Sequence, residues 1–86
     1  MYQPYEHYEE AARKLTEQTV ENIIRKYTNV PFSSDIDIRR TDDGTIEILH
    51  VSVIFEALPE YKKELTEELQ KELGIIPEIG EKNRNE

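Results

Sequence analysis

The chain has 86 residues, no cysteine and a formal net charge of −8, from 19 acidic and 11 basic side chains. A chain this size folds as one domain that buries only about 60–65% of its unfolded surface, and without cysteine it has neither a disulfide scaffold nor a thiolate metal site. Its Lys and Arg are scattered among acids, which argues against a nucleic-acid partner, and it has no apolar run of about 20 residues and no leader-like segment, so the expectation is a cytoplasmic protein with no membrane association.

The first predicted element is a long helix from about Tyr5 to Tyr27. Pro4 suits a first helical turn, and Glu6, Glu9 and Glu10 sit where the helix dipole favours negative charge. Tyr5, Tyr8, Ala12, Leu15, Thr19, Ile23 and Tyr27 recur at three and four, one stripe of an amphipathic helix, which Val20 and Ile24 widen toward its end. Val30-Pro31 stops it, because the residue before proline avoids the helical region. A helix of this length outreaches a short hairpin. Its Tyr-rich start is therefore expected to pack on a second copy or to stay mobile.

Asp35 to Glu56 reads as a β-hairpin: Asp35–Arg40, an Asp-Gly turn, and the longer strand Thr45–Glu56. The turn admits two registers. A two-residue loop at Asp43-Gly44 pairs Ile38 with Leu49 and Ile36 with Val51, and places Ile36, Ile38, Leu49, Val51, Val53 and Phe55 on one face. A three-residue loop with Gly44 left-handed shifts the pairing by one and gathers Ile36, Ile38, Ile46, Ile48 and Ile54 instead. The first collects the larger apolar set and is preferred. It leaves Ile46, Ile48 and Ile54 on the opposite face, with an unpaired overhang at Val51 to Phe55. Such surface is expected to be an interface.

A second helix is expected from about Pro59, with Tyr61, Leu65, Leu69 and Leu73 as its inner stripe. Gly74 is placed to end it in the left-handed conformation. Ile75, Ile76 and Ile79 suggest a short extended segment against the sheet, a candidate third strand. The ordered domain is expected to span 1–79, and Gly80 to Glu86 to be a disordered polar tail. The fold class is thus α+β, in the order α-β-β-α with that additional strand.

Candidate chemistry is sparse. His7 and Glu10 have a helical spacing that suits a metal, but no further ligand is fixed, and a solvated face is the better reading. His50 falls opposite Asp37 in the preferred register, a pair that can act as a pH switch and is more often a cross-strand polar contact. No nucleophile motif and no glycine-rich phosphate loop is present. Neither an enzyme nor a cofactor is expected.

The segments Asp43 to Ile54 (Asp-Gly-Thr-Ile-Glu-Ile-Leu-His-Val-Ser-Val-Ile) and Leu69 to Ile79 (with Leu73-Gly74-Ile75) resemble the ring-building domains of stage III sporulation and type III secretion ring proteins. The resemblance implies an αββαβ module that packs side by side into oligomers. The topology is also similar to the cytoplasmic domains of cation-efflux transporters, whose second strand often carries a His where His50 falls.

The reading that follows is a small acidic oligomerisation module. It is expected to be a homodimer through its hairpin, with Tyr5, Tyr8, Ile46, Ile48, Val51, Val53, Ile54 and Phe55 at the interface. The alternatives are an acidic inhibitor or nucleic-acid mimic that docks on a basic protein, and a metal- or pH-sensing domain built on Asp37 and His50.

Overall fold

The computed structural model describes residues 4–82, with side chains from Tyr8 onward. The elements follow the order α1 (Pro4–Arg25), β1 (Phe32–Arg40), β2 (Ile46–Phe55), α2 (Lys62–Leu73) and β3 (Glu78–Glu81). The sheet has strand order β1-β2-β3, with β1 antiparallel and β3 parallel to the central β2. The third strand is therefore real, but it starts at Glu78 rather than Ile75. Pro77, which has no N–H to give to a ladder, directly precedes it. The strand runs on through Gly80 and Glu81, and the Lys82 N–H donates to the Phe55 carbonyl at 2.7 Å. The ordered fold thus extends past Ile79. The rest of the expected tail, residues 83–86, lies outside the described residues.

Both hairpin registers occur in the same ladder. From Phe32↔Phe55 to Asp37↔His50 the pairing is that of the two-residue loop. From Ile38↔Ile48 to Arg40↔Ile46 it is that of the three-residue loop. The switch is a β-bulge in which Leu49 is the extra residue on β2, and Leu49 is 49% exposed instead of joining the core face. At the tip, Gly44 adopts φ +91° and its N–H donates to the Thr41 carbonyl at 3.0 Å, the left-handed glycine of the longer loop. The Thr41 and Thr45 hydroxyls both bond the Asp43 carboxylate, and the Thr41 bond is the main reason its pKa lies below the ordinary aspartate value.

The core lies between one face of the sheet and the two helices. Val51, Val53, Phe55, Leu65, Leu69, Val20 and Ile24 are fully buried, and Ile36 and Ile23 nearly so. Burial of one large aliphatic or aromatic side chain of this kind stabilises by about 1.5–3 kcal/mol. On α2, Leu65 and Leu69 supply the buried stripe, while Leu73 is half-buried and Tyr61 is 53% exposed. The helix starts at Lys62 rather than near Pro59, and Gly74 closes it at φ 80° with its N–H on the Gln70 carbonyl. The end of α1 is tied to β1: Arg25 Nη1 donates to the carbonyls of Thr28 and Val30, and its guanidinium lies 4.9 Å from the Phe32 ring centroid.

Candidate functional site

β1 begins at Phe32 rather than Asp35, and this removes the expected overhang. Phe32 pairs with Phe55, their ring centroids 5.7 Å apart, so β1 reaches the far end of β2. The other edge of that same stretch is covered by β3, which pairs with Ser52 to Phe55. Val51, Val53 and Phe55, expected at an interface, are fully buried within one chain.

The bulge also redistributes the isoleucines. Ile46 and Ile48 fall on the helix-covered face with Ile36 and Ile38, and both are half-buried. Ile54 alone of the three stays on the open face. It is half-buried, and its Cδ1 lies 3.2 Å from where a Cβ on Gly80 would be. Around it the open face is polar. Asp35, Asp37, Glu47 and His50 are exposed, and Arg39 Nη2 donates to Glu47 Oε1 at 2.7 Å. The expected second apolar face is therefore absent from the described sheet.

Asp37 does stand opposite His50, as expected. The hydrogen bond of His50 goes elsewhere, however, from Nε2 to Glu78 Oε1 on β3 at 3.2 Å. Nothing in the local pattern points to this partner, because Glu78 is 28 residues away and its position depends on β3 joining the sheet in parallel. Among the described residues no group of three His, Asp or Glu side chains converges in a way that could hold a metal. The His7 side chain lies outside them, as does that of Tyr5.

Between the helices, Glu68 accepts a bond from the Tyr27 hydroxyl at 2.6 Å and one from the Lys26 ammonium. The Lys26 bond, then that of Tyr27, holds the Glu68 carboxyl below its ordinary pKa. The bond to Glu68 raises the Tyr27 phenol. Glu64, Glu67 and Glu72 stand beside this pair and line a surface cleft with Lys71. The arrangement is a helix–helix clamp on the outside of the core.

Among the described residues, two extended surfaces stand without a partner inside the chain, apart from the short outer edge of β3 and single exposed side chains such as Ile76. The first is the leading half of α1. No residue from Tyr8 to Thr19 is buried, and Tyr8 and Leu15 are 69% and 70% exposed although they continue the spacing of Val20, Ile23 and Ile24. The second is the outer edge of β1, a nine-residue strand with a neighbour on one side only. No described helix is long and apolar enough to cross a membrane. Comparison with family models, with curated proteins and with solved structures gave no match to this chain.

Proposed function

We propose that this domain is a protein–protein interaction module that self-associates, with a homodimer as its simplest form. The observation that carries the reading is the leading half of α1, where an apolar stripe continues for several turns beyond the last residue that the chain buries. Tyrosine and leucine at helical spacing on an open face suit contact with another protein, because they remove large area from water at low entropic cost. The resemblance of Asp43–Ile54 and Leu69–Ile79 to domains that assemble side by side supports the same reading.

Light scattering after size exclusion, at low and high salt, tests it. The expected result is a mass of two chains at both salts, because apolar association is not screened. Leu15→Glu is expected to shift the mass toward one chain without loss of helical signal, since Leu15 contributes nothing to the core. A single-chain mass at both salts, up to the highest soluble concentration, overturns the reading.

A further inference from the structure

β1 closes the sheet on one side, and its backbone shows which groups face outward. The Pro31 carbonyl accepts from the Glu56 N–H at 2.9 Å, and the Thr41 N–H donates to the Thr45 carbonyl at 2.8 Å. Both bonds point toward β2. Strand groups alternate in direction and the bulge is on β2, not β1, so the odd-numbered residues between them also turn to β2. Phe32, Ser34, Ile36 and Ile38 therefore turn their N–H and C=O to the open edge. β1 has no proline and no bulge of its own to blunt that edge.

We propose that the occupant of this edge is a second copy of the chain, with β1 pairing antiparallel to β1 about a two-fold axis at Ile38. Two sheets then join into one of six strands. This rests on the self-association reading above and specifies its geometry.

The charges on β1 favour a second copy and the register centred on Ile38, the one that pairs Asp37 with Arg39. Asp35, Asp37 and Arg39 lie on the open face of the sheet and are exposed. An axis at Ile36 sets Asp35 against Asp37 of the second copy twice. An axis at Asp35 or at Asp37 sets that carboxylate against itself. Like charges directly opposite one another destabilise a ladder. An axis at Ile38 instead sets Asp37 against Arg39 of the second copy, and Arg39 against Asp37, with no like-charge pair. On the other face it brings Ile38 against Ile38, both half-buried already. The Arg39 guanidinium has donors for both neighbours: Glu47 within its own chain and Asp37 of the second copy across the seam. Five residues of each strand, Ile36 to Arg40, overlap in this register, an ordinary strand length. α1 is the helix that packs on β1.

The chain has no cysteine, so single-cysteine variants report the register directly. Asp37→Cys and Arg39→Cys occupy a non-hydrogen-bonded pair across the seam, where opposite Cα atoms approach to about 4.5 Å, within disulfide range. Under mild oxidation an equimolar mixture of the two is expected to give several-fold more disulfide-linked dimer than either alone. Wild-type amide exchange supplies a readout free of any variant: the Ile36 and Ile38 amides are expected to gain protection as protein concentration rises. If the chain associates but these amides exchange freely at every concentration and the mixture cross-links no better than its components, β1 pairing is overturned while self-association stands. A chain that stays single throughout overturns both. If the variants fail to fold, the wild-type amides decide alone.

Discussion

Gly44 and Glu68 carry the sharpest consequences of single side chains. At φ +91° an L side chain meets the left-handed penalty, and nothing lies within 4 Å of a new Cβ, so the cost of Gly44→Ala is purely one of backbone. It is expected to destabilise by about 1–2 kcal/mol, with Gly44→Asn milder, as read by urea unfolding. Glu68 gives a pH signature. Its folded pKa is lowered from 4.5, so the stability it contributes is present above the ordinary glutamate range and is lost as pH falls through the lowered value. Tyr27, raised from 10.0, contributes stability that is present below that pH and is lost as pH rises through its folded value. Glu68→Gln is expected to flatten both ends of the stability profile. In an NMR titration it is also expected to return the Tyr27 phenol toward its ordinary pKa. The sequence showed Tyr27 as the last member of the first helical stripe, and Glu68 as one of the glutamates outside the second. Their meeting depends on the packing of α1 against α2, which neither stripe specifies alone.

Elements were legible where one physical signal dominated. The end of α1 ahead of Val30-Pro31 (at Arg25 rather than Tyr27), the left-handed Gly74 and the α-β-β-α order with a candidate third strand were readable because proline, glycine and periodicity act locally. The hairpin register was not, because each of the two candidate turns was right for half of the ladder. A signal for the bulge was nonetheless present. Ile46 and Ile48 fall on even positions, while Val51, Val53 and Phe55 fall on odd ones, and a change of parity within one strand requires an extra residue between them. Deletion of Leu49 is therefore expected to be tolerated, leaving a regular ladder with Ile48 and Val51 still facing the helices. Deletion of Ser52 throws Val53 and Phe55 to the open face and is expected to abolish the cooperative unfolding transition. The two deletions are compared by NMR dispersion and thermal melts. Ile46 and Ile48 change face for the same reason, since a face assigned from one register turns over where the register changes, whereas Val51, Val53 and Phe55 are covered because β1 starts at Phe32 and β3 joins the other edge.

At the scale of the molecule, stability and proposed function occupy different parts of the chain. Among the described residues, the core draws on α1 from Val20 onward, together with the sheet and α2. Leu65→Ala is expected to cost about 2–5 kcal/mol, because it opens a cavity at a fully buried site. Leu15→Ala is expected to stay within about 0.5 kcal/mol in the dissociated chain, as exposed positions do. Urea titrations at low protein concentration check both. The length of α1 could be read from the sequence, and so could the lack of cover over its start, because so long a helix outreaches the short hairpin. The apolar spacing is the same on either side of Thr19, so the point where cover begins, at Val20, is set by the tertiary fold.

β3 has a consequence in time. Its four residues join β2 from across α2, with Ser52 opposite Glu78, whereas β1 and β2 are neighbours through a tight turn. Closing the longer loop costs more chain entropy, and a four-residue parallel ladder returns little for it. Among the three strands, β3 should therefore be the last to settle during folding and the first to peel away from the native state. Its departure uncovers the second edge of β2 and releases the hydrogen bond of His50 to Glu78. A partly opened form, with the hairpin and helices still in place, is thus the first excursion of the sheet from its folded ground state.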